Sequence, residues 1–298
     1  MRRSLRTMRI LYISLLLTAF LSLYAQPALA GYAIGFSSDH IRVLSPCANG
    51  LECQGELLLA GTSDLSQVWF CLRGPRGELV TYPAAVEDGR FARTVALRFG
   101  PGTYTVWAGD NRSRFDGVIR FEVTNLLQQD VRELAPSACV DSDHPAIQQL
   151  AASLVTDGMS ETERLMAIHD WVAAHIAYDY DAYASGQDCL VPASQTLEER
   201  TGTCGNYSFL VAALARALRM PARVVYGQVC CNSAWGSAPQ LHAWNQVYAD
   251  GRWVTLDATW DAGYIRDGRF VAAPSDRYFD PSPEFFAQTH SAASVTLH

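Results

Sequence analysis

Two hydrophobic rhythms divide the chain. From about residue 31 to 125 the apolar residues come in short runs, GELLLAG, QVWFCLRG, RFARTVALRF, TYTVWAG and VIRFEV. Between them lie GPRGE, EDG, FGPG and GDNRSRFDG. Short β-branched and aromatic runs punctuated by Gly, Pro and Asp predict strands joined by tight turns, and the even spacing predicts an antiparallel, immunoglobulin-like β-sandwich. This region gathers no cluster of catalytic residue types and reads as a spacer or recognition module.

Past a Pro-containing connection at about 134–145 the period lengthens. Ser160-Glu161-Thr162-Glu163 forms a capping box, followed at helical spacing by Leu165, Ile168, Val172 and Ile176. His169 and His175 lie on this helix six residues apart. They do not share a face as metal ligands would, and they read as a satisfied core histidine or a surface one. A short helix over 194–200 is expected to end at Gly202. Thr203 then caps a helix that begins at Cys204 and stops at Pro221. The run ARVVYGQV predicts a strand, 230–239 a loop, and HAWNQVYADGRWVTLDATWD a hairpin turning at Asp250-Gly251. The stretch YFDPSPEFFAQTH predicts a helical turn and a last strand.

The first thirty residues stand apart. Arg2, Arg3, Arg6 and Arg9 precede an apolar run from 10 to about 24 and then Ala28-Leu29-Ala30, the pattern of a secretory signal peptide. The apolar run is short for a spanning helix. The expectation is a secreted or periplasmic, cell-envelope protein with no stable membrane span once the signal is cleaved. The organisation expected is 1–30 signal peptide, 31–125 β-sandwich, 126–144 linker and 145–298 catalytic domain.

Composition narrows the chemistry. The net charge of −7 becomes more acidic when the signal arginines are removed, which argues against nucleic acid. All 23 basic residues are arginine, which excludes a P-loop lysine, a Schiff base and a lysine general base. Eight cysteines in an exported chain suggest disulfides; a Cys47–Cys53 loop and Cys189 with Cys230 or Cys231 are the expected pairs. No CxxC occurs and no His/Asp/Glu ligand spacing is visible, so neither a metal nor another cofactor is expected.

Cys204 is the unusual thiol, because it stands where a helix begins. A thiol attacks as thiolate, and both a helix N-terminus and an adjacent imidazolium favour that form. The hairpin supplies the imidazole. Pairing Ala249 with Arg252 sets Trp244 opposite Asp257 and His242 opposite Thr259, so His242 and Asp257 are diagonal neighbours on one face, roughly 7–8 Å apart at the backbone. Asp257 can then orient His242 while the other ring nitrogen faces Cys204. A slip of one residue would separate them.

The stretches GTCGNYSFLVAALARALRMPARVVYGQV and LHAWNQVYADGRWVTLDATWD resemble the transglutaminase-like superfamily core, with its papain-like Cys-His-Asp logic. In that family the cysteine opens a helix, the histidine begins one strand and the aspartate ends the next, positions that fall on Cys204, His242 and Asp257. IHDWVAAHIAYDYD and YFDPSPEFF also look like bacterial extracellular members, and the likeness covers about 145–290. It implies an α+β, papain-like fold and acyl transfer through a thioester on Cys204. The amide would come from a peptide, a protein or a peptidoglycan-type polymer, and water or an amine would resolve the thioester. The alternative is a catalytically inactive envelope-binding protein of the same fold. The Cys204 backbone N–H is the expected first oxyanion donor. The family suggests a second from an upstream side chain, for which Tyr178 and Gln195 are candidates. Trp235, Trp244 and Trp260 are expected either to wall an acyl groove or to pack in the core.

Overall fold

The computed structural model describes residues 36–186, 190–230 and 239–296. The expected signal segment, Cys189, Cys231 and Trp235 lie outside the described residues. The all-β region runs β1 (Phe36–Ser37), β2 (Ile41–Ser45), β3 (Leu51–Cys53), β4 (Glu56–Ser63), β5 (Gln67–Arg73), β6 (Leu79–Ala85), β7 (Arg90–Ala96), β8 (Gly102–Gly109) and β9 (Ile119–Asn125). One sheet has the order β1-β2-β4-β7 and the other β3-β9-β8-β5-β6. Alternation along β4, β8 and β9 turns Leu57, Leu59, Tyr104, Val106, Phe121 and Val123 into a shared core. The apolar runs marked five of these strands. β1, β2, β3 and β6 went unmarked because they are short or interrupted, β6 by Pro83.

The second part runs α1 (Pro145–Ser153), α2 (Glu161–His175), β10 (Ala177–Tyr178), α3 (Tyr180–Ser185), α4 (Ala193–Glu199), β11 (Thr201–Gly202) and α5 (Cys204–Ala217). It continues through β12 (Ala222–Val229), β13 (Gln240–Ala249), β14 (Arg252–Leu256), α6 (Ala258–Ala262), β15 (Gly263–Arg266), β16 (Arg269–Ala272), α7 (Pro283–Phe286) and β17 (His290–Thr296). This is a mixed α+β fold. Its main sheet has the order β14-β13-β12-β17. α5 is buried on every side from Gly205 to Arg216, as an all-round apolar helix must be. It packs against α2 and the sheet through Phe209, Leu210, Val211 and Leu214.

Boundary differences have local causes. α4 ends at Arg200, which takes the left-handed conformation at φ 58°, and Gly202 instead pairs in β11. α5 stops at Ala217 rather than running to Pro221, because Arg219 is left-handed at φ 64° and the residue before a proline avoids helix. The Ser160 capping box is present, and Asp250 in the hairpin turn reinforces it. Its carboxylate accepts the Glu161 and Thr162 N–H groups at 3.3 and 3.1 Å, while Glu161 accepts the Asp250 N–H at 2.7 Å.

The segment between the two parts is pinned rather than loose. Arg98 and Arg216, both buried, donate to the Pro136 and Ala135 carbonyls, and Arg93 pairs with Asp143 at 2.8 Å. Burial and the nearby Arg98 guanidinium hold Arg216 well below the ordinary arginine value. The expected Cys47–Cys53 disulfide does not form: Cys47 is an exposed thiol and Cys53 a buried one.

Candidate active site

Cys204 is the first residue of α5. Thr203 precedes it in extended conformation, and the Thr203 N–H and hydroxyl both donate to Asn206 Oδ1, at 3.0 and 3.1 Å. The flanking glycines lie close to neighbouring side chains. A Cβ on Gly202 would lie 2.6 Å from Asn206 Cβ, and one on Gly205 would collide with Leu190. Cys204 is thereby held half-exposed at the end of a helix whose first-turn N–H groups have no intrahelical acceptors.

The hairpin has the expected register from Ala249↔Arg252 to Asn245↔Leu256. The ladder ends there. Asp257 leaves the strand and becomes the N-cap of α6, its Oδ1 accepting the Thr259 and Trp260 N–H groups at 2.9 and 3.2 Å. Its other oxygen meets His242 Nε2 at 2.7 Å. Asp257 is thus both a cap and the imidazole partner. Cys204 is close enough to be among the groups that raise the His242 imidazole. Imidazole and carboxylate from β13 and the β14–α6 junction are thus joined, with Cys204 of α5 in their electrostatic neighbourhood.

The electrostatics follow from burial. Desolvation alone would lower His242, but the Asp257 carboxylate and the Cys204 sulfur outweigh it, and its pKa is pushed up to about 10. Desolvation would raise Asp257, yet the two imidazoles around it hold it below the ordinary carboxylate range. Burial pushes the Cys53, Cys71 and Cys139 thiols up.

A cleft beside His242 is lined by Tyr178, Tyr183, Gln240, Leu241, Thr259 and Trp260. Leu241 is 82% exposed at its rim. Of the tryptophans, Trp260 walls this cleft, while Trp244 is buried and packs on Phe286 at 5.6 Å. Tyr178 lies at the cleft. Gln195 does not: it donates to Glu199 at 2.8 Å and lines a separate depression with His144.

One residue of the site was not foreseen. His290, at the start of β17, places Nε2 3.1 Å from Asp257 Oδ2. No local pattern marks it; only the pairing of β17 with β12 brings it there. His242, Asp257 and His290 set one potential ligand atom each within 4.8 Å of one another, the one such trio among the described residues. Asp257 Oδ2 is hydrogen-bonded to both histidines. His169, the one buried histidine of α2, bonds Asp261 at 3.0 Å and Asp170 at 3.0 Å, a satisfied core histidine.

No helix among the described residues is long and apolar enough to cross a membrane. Residues 148–258 match the family model of the transglutaminase-like superfamily, a span that contains Cys204, His242 and Asp257. The kyphoscoliosis peptidase of Mus musculus is 27% identical over 153 residues, covering 48% of this chain and 23% of that protein. The chain thus spans less than a quarter of the length of the curated relatives it matches. Among solved structures, a candidate cysteine protease from Cytophaga hutchinsonii is 18% identical, with 89% of this chain and 81% of that one covered and a TM-score of 0.39. The periplasmic domain of TgpA from Pseudomonas aeruginosa is 16% identical over 66% of this chain and 89% of its own, with a TM-score of 0.31. The family match supports an enzyme of the cysteine acyl-transferase or peptidase kind. Over residues 148–258 this chain carries a transglutaminase-like domain.

Proposed function

We propose that the protein is an exported cysteine acyl-transfer enzyme with Cys204 as nucleophile, His242 as general base and acid, and Asp257 as the orienting carboxylate. The observation that supports this reading is the buried His242–Asp257 hydrogen bond, with the helix-mouth Cys204 among the groups that act on the same imidazole. His242 takes the thiol proton through Nδ1, and the thiolate attacks the carbonyl carbon of an amide. The C–N bond breaks as His242 gives its proton to the departing amine, leaving a thioester on Cys204. Water, deprotonated by His242, releases a carboxylic acid; a primary amine releases a new amide. Either route returns the free thiol.

The Cys204 N–H at the helix mouth serves as one oxyanion donor, and Tyr178, at the cleft, is the better placed of the two side-chain candidates for the second. The narrow cleft walled by Tyr178, Tyr183 and Trp260 adjoins His242. The substrate is a peptide, protein or peptidoglycan-type amide, and the peptidase among its relatives favours hydrolysis over amine transfer. Residues 1–30 direct export to the envelope or beyond and are removed, 31–125 form a recognition domain, 126–144 join it to the enzyme, and 145–298 are catalytic.

The test is product mass. Purified protein lacking residues 1–30 is incubated with glutamine-containing peptides and with envelope fragments, with and without a primary amine. Hydrolysed or amine-conjugated products that vanish in Cys204→Ala support the reading. Equal products from Cys204→Ala would overturn it.

A further inference from the structure

Asp257 Oδ2 accepts from two imidazoles at once, His242 at 2.7 Å and His290 at 3.1 Å. We propose that His290 is a positioning residue which acts through Asp257, occupying the second lone pair of Oδ2 so that the carboxylate is held in the plane that serves His242. This rests on the reading of Cys204, His242 and Asp257 as the catalytic line. His290 lies outside the span matched by the family model.

Four donors surround this one carboxylate. Oδ1 is fixed by the Thr259 and Trp260 N–H groups, and Oδ2 by the two histidines. A carboxylate offers about four such sites, so none is left for water or for rotation. The donor role requires hydrogen on His290 Nε2. The other nitrogen, Nδ1, lies 2.8 Å from the Thr289 hydroxyl, which fixes the ring from the opposite side. The ring is itself clamped: it stacks on Phe286 at 3.9 Å and 14°, and lies 4.6 Å from Trp260 and 5.2 Å from Trp244. Trp244 reaches it from β13 by crossing Gly227 of β12. A Cβ on Gly227 would lie 2.5 Å from the Trp244 ring and would collide with the Ser291 carbonyl. His290 is also among the groups that hold the Asp257 carboxyl down.

Without the His290 donor, Oδ2 keeps a buried, unfilled acceptor site, and its hold on His242 weakens. In His290→Phe the rate constant for Cys204 alkylation by iodoacetamide at neutral pH should fall about 10-fold to 100-fold. The kcat for a glutamine-containing peptide should fall alike, with KM changed less than about twofold. His290→Gln, which restores an N–H near the Nε2 position, should recover most of both. A packing role alone would lower the melting temperatures of both variants without that recovery.

The proposal is overturned if folded His290→Phe alkylates and turns over like the natural protein, or if Gln is no better than Phe. Should neither variant fold, ¹⁵N NMR of histidine-labelled natural protein decides: a proton on His290 Nε2 with Nδ1 bare supports the role, and the opposite tautomer ends it. The catalytic reading fails separately, if Cys204 in the natural protein alkylates no faster than the exposed Cys47.

Discussion

His242 Nε2 sits 2.7 Å from Asp257 Oδ2 with both side chains buried, and this contact sets the pH behaviour of the site. The His242 value, near 10, lies above the ordinary imidazole 6.5. The stability it contributes is complete below pH 6.5 and is lost as pH climbs through about 10. Asp257, held low, contributes above the ordinary 3.8 and loses its share as pH falls through its depressed value. The alkaline limb of kcat/KM should therefore fall near pH 10, where the imidazolium that protonates the leaving amine is lost. A limb near 6.5 in a pH–rate profile would refute this.

Cys204→Ala and His242→Ala should each remove nearly all turnover, a loss of about 10³-fold or more, while the fold persists. Circular dichroism and single-turnover product analysis together separate an inactive enzyme from an unfolded one.

Asp257→Asn should lower the rate about 10²-fold to 10⁴-fold. The amide oxygen can still cap α6, but its NH₂ then faces the N–H groups of both His242 and His290. A moderate drop in melting temperature is expected alongside the kinetic loss. Wild-type turnover in this variant would remove Asp257 from the mechanism.

Stoichiometric iodoacetamide should inactivate the protein through Cys204 before it labels Cys53, Cys71 or Cys139, whose thiols are buried and raised. Peptide mapping after partial inactivation locates the label. Chelators should leave activity unchanged; loss on chelation that zinc restores would instead favour a metal in the His242, Asp257 and His290 trio.

Asp261→Ala should destabilise the core by about 3–5 kcal/mol, because it strips the buried His169 of the buried one of its two carboxylate partners, leaving only Asp170 at the surface. Asp261 also accepts the Tyr278 N–H at 2.8 Å, and the Tyr278 carbonyl accepts the Asp257 N–H at 3.0 Å. A denaturant midpoint within about 1 kcal/mol of the natural protein would show that this buried network carries little weight.

What the sequence made legible is what local chemistry encodes. The capping box at Ser160, the helix mouth at Cys204 and the Asp250-Gly251 turn each bear their signal within a few residues, and the turn alone fixes the register that joins His242 to Asp257. Asp257 as a helix cap was half legible, since a strand ending and a helix start overlap on one residue. His290 was not legible at all. Its contact with Asp257 spans 33 residues and depends on β17 returning to the far edge of β12. Short strands such as β1 and β3 escape periodicity for the plainer reason that two or three residues hold no period.

The Asp250 clasp on the start of α2 gives the hairpin a second reader. A ribbon slipped by one residue would move Asp250 off the Glu161 and Thr162 amides as well as turning Asp257 away from His242. Misalignment of imidazole and carboxylate would thus also cost hydrogen bonds at a distant helix end, so two remote contacts report on one alignment.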